Sequence, residues 1–345
     1  MMKKISFFDA KSYDRKYFDA LKEKYDFEIE YFEEKLNSKT AVLAKGSDAV
    51  VAFVNDTIDK DTITVLDSLN IRVIGMRCAG YNNVDFEAAY NKIHVVSVPA
   101  YSPYAVAEFA MGMLLTLNRK LHRAFNRTRE FNFNLEGLAG FDIHGKTIGV
   151  VGTGRIGQAF IQLCSGFGVN IIAYDPYPNK NLNVTYVSFE ELCKQSDIIS
   201  LHCPLTKDTY HLINKESIAN MKDGVYIINT SRGALIESES LLEAVKHLKV
   251  GAAGLDVYEE EADLFFEDFS NSIIQDDTLA RLISMPNVLV TSHQGFLTAE
   301  ALSNIADTTL HNLRDYFDNK PLLNEICYNC VKSATCKKDH KERCF

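Results

Sequence analysis

Three segments of the chain carry side chains suited to acid–base chemistry, and each lies just after an apolar, strand-like run. Arg232 follows VYIIN, His293 follows VLVT, and the acidic residues Glu259, Glu260 and Glu261 follow GAAGLDVY. A guanidinium can hold a carboxylate through two parallel hydrogen bonds and polarise an adjacent carbonyl group. An imidazole can donate a proton to a carbonyl oxygen, or remove one from a hydroxyl, near neutral pH.

A carboxylate beside His293 would favour the protonated imidazole and make it a better proton donor. The residues alone do not decide which of the three glutamates has this role, since such a run is usually a solvated charged surface. A single arginine is likewise most often part of a surface salt bridge, and a single histidine most often a structural residue. The three strand ends favour the catalytic interpretation, because open α/β sheets bind ligands at the carboxyl ends of their strands.

A glycine-rich turn in the middle of the chain predicts the element that organises these segments. Residues 148–157 read IGVVGTGRIG, an apolar strand followed by a turn and then by a helix-like stretch. The six residues of the predicted turn are Gly152, Thr153, Gly154, Arg155, Ile156 and Gly157. In a dinucleotide-binding turn the three glycines allow the tight turn, the close approach of a pyrophosphate, and the packing of helix against strand. The pyrophosphate would lie at the helix N-terminus.

Asp175 follows the next strand, VNIIAY, and lies 23 residues after Gly152. An acid about 20 residues beyond the first glycine typically binds the ribose hydroxyls. Its charge would repel a 2′-phosphate, so we predict NAD rather than NADP as the cofactor. The simpler alternative is that Asp175 only opens the turn DPYP.

Apolar runs alternate with helical patterns on both sides of the glycine turn. The predicted strands are 5–8, 27–31, 49–54, 71–76 and 94–98 before it, and 148–151, 170–174, 197–202, 225–229, 250–255 and 288–291 around and after it. Alternating strands and helices are typical of parallel sheets covered on both faces. We predict an α/β fold with two doubly wound parallel-sheet domains, one a six-stranded Rossmann-type NAD domain and the other flavodoxin-like.

Two long helices set the predicted domain boundaries. One runs from Ser102 or Pro103 to about Arg129, with a serine suited to capping and a proline suited to the first turn. The other, from Thr298 to Phe317, follows the last strand and would return to the first domain. The predicted domains are 1–102 with 298–330, 103–297, and a cysteine-rich tail at 327–345. A ligand is expected in the cleft between the first two.

Composition narrows the class of partner. The 345 residues are 46% hydrophobic, enough for sizeable cores, and carry a formal net charge of −9. This acidic chain offers no global basic field for nucleic acid or an anionic membrane, and no apolar run is long enough to span a bilayer. The apolar stretch before Asp9 is too short for a signal peptide. We expect a cytoplasmic protein that acts on a small molecule and in which the scattered Cys78, Cys164, Cys193 and Cys203 are reduced packing residues.

Eight ordered motifs resemble those of one family. They are RCAGYNNVD (77–85), VPAYSPYAVAEFA (98–110), VGTGRIG (151–157), DPYP (175–178), SLHCPLT (200–206), NTSRGALI (229–236), GLDVYEEE (254–261) and HQGFLTAEA (293–301). Together they resemble the D-specific 2-hydroxyacid dehydrogenases, most closely the fermentative D-lactate dehydrogenase branch of bacteria. The likeness extends from about residue 1 to about residue 325.

The resemblance implies roles for residues of this sequence. Arg232 would clamp the carboxylate and carbonyl groups of the substrate, His293 would be the acid–base group, and Glu261 its partner, with Asp256 as a support. Cofactor contacts beyond the glycine turn and Asp175 would be Cys203, Pro204, Thr206, Thr230, Ser231, Arg232 and Asp256. Substrate contacts beyond Arg232 and His293 would be Cys78, Ala79, Gly80, Tyr101 and Phe296. The backbone of residues 78–80 would face the substrate carboxylate in the domain formed by both chain ends.

The implied reaction is the reversible reduction of pyruvate to D-lactate by NADH. A first alternative is a dehydrogenase for a bulkier 2-oxoacid, because the sequence does not give the size of the pocket. A second is an NAD-sensing regulatory protein, since transcriptional corepressors are similar to this family, although the intact Arg232, Glu261 and His293 argue against it. The resemblance also implies a homodimer or homotetramer.

Two features depart from the family. Gly295 stands where alanine is more usual, and half of the eight cysteines fall in the last nineteen residues. These four are Cys327, Cys330, Cys336 and Cys344. With His340 they could form a zinc or redox site, but the spacings beyond the CxxC pair match no standard metal pattern, so we predict no metal. The alternative is a poorly ordered extension.

Overall fold

The computed structural model describes residues 2–261, 264–332 and 343–345. The chain forms two compact units. The first unit comprises Met1–Ser102 and Thr298–Phe345, and the second comprises Pro103–Leu297. Each is built on a mainly parallel sheet with helices between successive strands, which confirms the predicted α/β fold class.

The strands and helices follow one another in the order that the alternating patterns predict. The strands are β1 (Lys3–Phe7), β2 (Phe27–Tyr31), β3 (Ala49–Ala52), β4 (Val73–Met76), β5 (His94–Val96), β6 (Thr147–Val151), β7 (Asn170–Tyr174), β8 (Thr185–Tyr186), β9 (Ile198–Leu201), β10 (Val225–Asn229), β11 (Val250–Leu255), β12 (Val288–Val290) and β13 (Glu325–Ile326). The α-helices are α1 (Ser12–Asp19), α2 (Lys60–Ser68), α3 (Phe86–Ala89), α4 (Pro103–Arg119), α5 (Leu121–Arg129), α6 (Arg155–Ser165), α7 (Phe189–Gln195), α8 (Lys215–Ala219), α9 (Ser238–Lys246), α10 (Asp277–Ser284), α11 (Ala299–Phe317) and α12 (Tyr328–Lys332).

The first unit has a six-stranded sheet in the order β13-β5-β4-β3-β1-β2. Strands β1 to β5 are parallel and show the 2-1-3-4-5 order of flavodoxin-like sheets. Strand β13 adds to the edge in the antiparallel direction. Every residue of β3 (AVVA) and β4 (VIGM) is buried, as expected for strands covered on both faces.

The second unit has a seven-stranded parallel sheet in the order β12-β11-β10-β9-β6-β7-β8. Counted from β6, the first six strands have the 3-2-1-4-5-6 order of a Rossmann fold. Apolar clusters cover both faces of this sheet, one including Ile227 and Leu255 and the other including Ile148 and Ile228. The core thus fixes the sheet whose carboxyl edge carries the predicted site.

Two sequence predictions about this unit are wrong. The sheet has seven strands rather than six. The additional strand, β8, is only two residues long, so the sequence shows no alternation that would predict it. The helix predicted up to Arg129 is two helices, which separate at Lys120 with a φ of +51°. Helix α4 buries an apolar face, whereas no residue of α5 is buried, so no buried side chain of α5 holds it in line with α4.

A buried charge supports the loop that follows β4. The Arg77 side chain is 2% exposed, and one of its terminal nitrogens donates to the Asp9 carbonyl at 2.7 Å. Its other terminal nitrogen lies 3.3 Å from an Asp14 carboxylate oxygen, and the guanidinium stacks over Phe53 at 3.9 Å. Burial raises the pKa of Asp14 even though Arg77 opposes this effect. The residue before Cys78 is therefore anchored in the core of the first unit.

A neutral histidine lies where β6, β9 and α6 meet. His202 follows β9, its Nε2 is 2.9 Å from the Ser200 hydroxyl, and its ring packs 4.8 Å from that of Phe160. Among the described residues its Nδ1 has no hydrogen-bond partner. Burial lowers the pKa of His202 from 6.5 to about 3, so the ring is uncharged throughout the neutral range.

This lowered pKa predicts a specific acid sensitivity. Below pH 6.5 the unfolded chain binds a proton at His202, whereas the folded chain does not until about pH 3. The free energy of unfolding therefore has its full contribution from the neutral ring above pH 6.5 and loses this contribution as the pH falls. Between pH 7 and pH 5 we expect the wild type to lose about 2 kcal/mol more unfolding free energy than His202→Gln. Urea unfolding of both proteins at the two pH values measures the difference.

The matched control is His247→Gln, since the His247 side chain is 76% exposed. This variant should keep the pH dependence of the wild type. An unchanged pH dependence in His202→Gln would show that the buried ring accepts its proton without cost, contrary to the prediction.

Candidate active site

The strands of the second sheet end together at one edge. Val151, Leu201 and Asn229 are in register across β6, β9 and β10, and Asn229 pairs with Leu255, which pairs with Val290. The residues just beyond these positions therefore follow adjacent strand ends. On β10, β11 and β12 they include Arg232, Asp256 and His293.

The structure brings two of the predicted catalytic side chains into contact. The Nδ1 atom of His293 lies 2.8 Å from a carboxylate oxygen of Glu261. The other oxygen of Glu261 accepts the Tyr258 backbone N–H at 2.8 Å. The His293 and Glu261 side chains are 19% and 17% exposed, so the pair is partly open to solvent. Because Glu261 occupies Nδ1, the Nε2 atom is the ring nitrogen left to meet a ligand.

Asp256 supports the segment that carries His293. Its carboxylate accepts hydrogen bonds from the Thr291 hydroxyl at 2.6 Å and from the backbone N–H groups of Gln294 and Gly295 at 2.9 and 2.8 Å. Its carbonyl accepts the His293 N–H at 2.7 Å. Burial raises the pKa of Asp256, against the effect of these hydrogen bonds. Asp256 thus contacts the turn on both sides of the imidazole.

The three consecutive glutamates have three different surroundings. Glu261 pairs with His293, whereas Glu259 lies 2.5 Å from Nε2 of His211 and also accepts the Ser238 hydroxyl at 3.0 Å. Glu260 is exposed. The structure therefore places Glu261, and not its two neighbours, beside His293.

Arg232 lies past the end of β10 and is partly exposed. One terminal nitrogen donates to the Ser231 carbonyl at 2.6 Å, and the Arg232 carbonyl accepts the Asn229 side chain at 2.8 Å. No carboxylate in the described part of the chain forms an ion pair with the guanidinium. It therefore has N–H donors that are not used within the described structure.

The glycine turn fits the pyrophosphate of a dinucleotide. Gly152 has a φ of +92°, and a Cβ there would lie 2.6 Å from the His202 carbonyl oxygen. A Cβ on Gly157 would lie 2.0 Å from the Gly152 carbonyl oxygen, so both positions require glycine. Gly154 is exposed, has open space around it, and precedes Arg155 and Ile156 in the first turn of α6. The residues present leave room for an anion at this helix N-terminus.

Asp175 follows β7 and is tied to the glycine turn. One carboxylate oxygen accepts the backbone N–H and the hydroxyl of Thr153, at 2.7 and 2.9 Å, and the other accepts the Tyr177 N–H at 2.8 Å. The Tyr186 hydroxyl donates to the Thr153 hydroxyl oxygen at 3.0 Å. The sequence does not predict that Thr153 holds the acid, or that Tyr186 in turn holds Thr153. The threonine between two glycines was the available signal for the first, but β8, which carries Tyr186, gave none.

The other predicted cofactor contacts lie on the same carboxyl edge. Cys203 follows His202, and burial raises the pKa of its thiol to about 11. The Pro204 carbonyl and the Thr206 N–H are both bonded to the Thr209 hydroxyl at 2.7 Å. After β10, the Ser231 hydroxyl donates to the Leu201 carbonyl at 2.8 Å. The neighbouring Thr230 hydroxyl is buried without a hydrogen-bond partner among the described residues.

The remaining predicted substrate contacts are divided between the two units. In the first unit Cys78, Ala79 and Gly80 form the loop after Arg77, with the Cys78 thiol 3.2 Å from the Gly80 carbonyl. The Tyr101 carbonyl, also in the first unit, accepts the Asn304 side chain at 2.7 Å. Phe296 is buried in the second unit, three residues after His293.

Across residues 2–261, 264–332 and 343–345, no group of three or more His, Cys, Asp or Glu side chains is arranged to hold a metal ion. Of the predicted tail residues, Cys336, His340 and the side chain of Cys330 lie outside the described residues. No helix in the described part of the chain is long and apolar enough to cross a bilayer.

Comparison with known proteins gives consistent matches. Residues 111–295 match the NAD-binding domain of the D-isomer specific 2-hydroxyacid dehydrogenases. The chain is 51% identical over 332 residues to a 2-hydroxyacid dehydrogenase homolog of Haemophilus influenzae, covering 95% of this chain and 99% of the relative. It is 50% identical over 327 residues to D-lactate dehydrogenase of Escherichia coli, covering 94% and 99%. The apo-structure of the Escherichia coli D-lactate dehydrogenase has a TM-score of 0.86 at 47% identity, covering 94% of this chain and 99% of that structure.

These matches confirm the resemblance and the NAD cofactor. The matched domain contains the glycine turn, Arg232, Glu261 and His293, and it comprises more than half of the chain. The relatives match over nearly their whole length, so both units are shared with them. The chain therefore belongs to the D-isomer specific 2-hydroxyacid dehydrogenase family and is an NAD-dependent oxidoreductase.

Proposed function

We propose that this protein catalyses the reversible reduction of pyruvate to D-lactate with NADH. The observation that carries the proposal is the 2.8 Å contact between Glu261 and His293, at the sheet edge that also bears Arg232 and the glycine turn. The similarity to proteins named D-lactate dehydrogenase supports the choice of substrate.

His293 is the proposed proton donor. Glu261 fixes the ring through Nδ1 and compensates the charge of the imidazolium, which leaves Nε2 to give its proton to the carbonyl oxygen. In the reverse direction Nε2 takes the proton from the hydroxyl. When bound, NADH supplies the hydride that reduces the carbonyl carbon.

Arg232 is the proposed clamp. Its unused N–H donors would hold the 2-oxoacid through the carboxylate, and a planar guanidinium suits this two-point contact. The same group would stabilise the negative charge that develops on the carbonyl oxygen in the transition state. Arg232 would thus orient the substrate so that His293 meets one particular oxygen.

The family resemblance extends the proposal to both units. The second unit would hold the cofactor, with Pro204, Thr206 and Thr230 along its nicotinamide side, Cys203 and Ser231 as further cofactor contacts, and Asp256 behind His293. The first unit would supply the backbone of residues 78–80 to the substrate carboxylate. Tyr101 and Phe296 would limit the size of the substrate side chain. We also propose that the protein is a homodimer or homotetramer.

A panel of 2-oxoacids tests the reaction. NADH oxidation measured with pyruvate and with 2-oxoacids of increasing side-chain size should give the highest kcat/KM for pyruvate, and chiral analysis should identify the product as D-lactate. A maximum at a bulkier side chain would replace the proposed substrate with the larger 2-oxoacid. Tight NADH binding without turnover of any member would contradict the proposal.

Replacement of His293 tests the proton transfer. Because general acid catalysis typically contributes 10²- to 10⁴-fold, we expect His293→Ala to lower kcat by roughly that factor. The dissociation constant of NADH should change little, since the glycine turn is intact. Glu261→Gln should lower kcat less, because the imidazole remains. Steady-state kinetics and NADH fluorescence titration measure the two effects.

The chain supplies a matched control for both variants. The pair His211 and Glu259 has the same two residue types, with side chains 23% and 22% exposed. His211→Ala and Glu259→Gln should keep kcat within about twofold of the wild type, since Glu259 bonds to His211 and Ser238 rather than to His293 or Arg232. Equal losses in both pairs would mean that His293 acts through stability rather than through proton transfer.

Asp175→Asn tests the basis of cofactor choice. The amide oxygen can still accept from Thr153, but the charge that opposes a 2′-phosphate is removed. We expect the ratio of kcat/KM for NADH over NADPH to fall by roughly tenfold, about 1.4 kcal/mol. Asp197→Asn is the control, because Asp197 also accepts a backbone N–H, from Thr147 at the start of β6. An unchanged ratio in Asp175→Asn would leave Asp175 only the role of holding the turn.

A further inference from the structure

The last three residues of the chain are held against the first unit. Arg343 donates to the Tyr316 carbonyl at 2.6 Å and to the Lys320 carbonyl at 3.2 Å, and its guanidinium lies 4.8 Å from the centre of the Tyr316 ring. Phe345 stacks on His94, with ring centres 4.2 Å apart and planes 9° apart. The chain end therefore has a polar and an aromatic anchor on either side of Cys344.

A buried carboxylate places the backbone of Cys344. One Glu325 oxygen accepts the Cys344 N–H at 2.8 Å, and the other lies 2.5 Å from Nδ1 of His94. Glu325 is 2% exposed and lies in β13, two residues before Cys327. The same strand thus positions both cysteines.

The two thiols meet at this point. The Cys344 N–H binds the carboxylate of Glu325, which lies two residues before Cys327, so the Cys327 and Cys344 side chains are neighbours, and neither sulfur is in a disulfide. Cys327 is 5% exposed, whereas Cys344 is partly exposed. Neighbouring cysteine side chains on residues 17 positions apart need little movement to form a disulfide.

We propose that Cys327 and Cys344 are a reversible thiol–disulfide pair, oxidised by low-molecular-weight disulfides, whose closure fastens the chain end to the first unit. Such pairs in otherwise reduced proteins are typically transient and redox-responsive. The proposal concerns the first unit alone and does not depend on the reaction proposed above.

Glutathione disulfide serves as the oxidant in two exchange steps. The thiolate of Cys344, the more exposed residue, attacks one glutathione sulfur, and the first glutathione thiolate leaves. The thiolate of Cys327 then attacks the Cys344 sulfur of the mixed disulfide and releases the second glutathione. The two protein thiols lose two electrons and two protons in total. Glutathione disulfide takes up these electrons and protons and becomes two molecules of glutathione.

The surroundings make the reduced pair persistent under mild conditions. Burial, the contact with Cys327 and the negative charge of Glu325 all raise the pKa of Cys344. Thiolate is the reacting form, so exchange is slow where thiolate is scarce. The oxidation is therefore best followed at mildly alkaline pH.

Peptide mapping of the full chain tests the pair directly. The reduced protein is incubated with glutathione disulfide, remaining thiols are alkylated, and the protein is digested with trypsin without reductant. Cleavage after Lys332 and Arg343 releases Cys344–Phe345 as a dipeptide, so only a disulfide can retain it on the peptide that contains Cys327. We expect this linked species, at the summed mass less two hydrogen atoms, and its loss on adding dithiothreitol.

One variant resolves an ambiguity in this map. Cys330 is on the same tryptic peptide as Cys327, so the double variant Cys330→Ser with Cys336→Ser must form the link at the rate of the wild type. Cys327→Ser and Cys344→Ser should abolish it. Phe345→Ala removes the stack on His94 and should slow closure at least severalfold, because Cys344 is then held less firmly.

Closure should also raise the melting temperature by about 5 °C, since it restricts the unfolded chain. Absence of the linked dipeptide, or its loss in the Cys330→Ser, Cys336→Ser protein, would overturn the proposal. So would bound zinc that protects Cys327 and Cys344 from alkylation. A link without any rise in melting temperature would contradict the fastening of the chain end.

Discussion

The geometry of the candidate site depends on the hydrogen bonds that the buried carboxylate of Asp256 accepts. This carboxylate accepts three hydrogen bonds from residues on either side of His293, and the Asp256 carbonyl binds the His293 N–H. His293 has a φ of +54°, a conformation that costs about 1–3 kcal/mol and persists only where the surroundings impose it. A Cβ on Gly295 would lie 3.0 Å from an Asp256 oxygen. The absence of a Cβ at Gly295 therefore lets the carboxylate and the turn lie close together.

A second close approach joins the cofactor turn to the same sheet edge. Gly152 touches the backbone of His202, Gly157 touches the backbone of Gly152, and the His202 ring is neutral because it is buried. A charged ring here would place an unpaired cation in the core, at several kcal/mol. The backbone contacts thus bring β6, α6 and β9 together without a buried charge, and the exposed face of the turn remains available to an anion.

Much of this arrangement could be predicted from the sequence, because it follows from local patterns. The sequence predicts that the site lies at one edge of the sheet. The apolar strands, the three glycines and the polar residues that follow the strand ends all indicate this. The break at Lys120 and the strand β8 could not be predicted, since the first depends on a lack of packing along α5 and the second is too short to show a period. The link between Asp175 and Thr153 is likewise a tertiary contact. Family resemblance, rather than spacing, selected Glu261 from its neighbours.

The two histidine–glutamate pairs show why spacing was not sufficient. Glu259 and Glu261 are two residues apart, and the Tyr258 N–H binds the Glu261 carboxylate and so folds that side chain back along the chain. Glu259 instead bonds to Nε2 of His211, the outer nitrogen of a ring that stacks 3.9 Å from Tyr210. Glu261 bonds to Nδ1 of His293 and leaves the outer nitrogen unoccupied. The same chemical pair therefore has both ring and carboxylate engaged in one place and, within the described residues, a free ring nitrogen in the other. Only in the second pair does the histidine closely follow the end of a strand, β12, of the sheet that carries the cofactor turn.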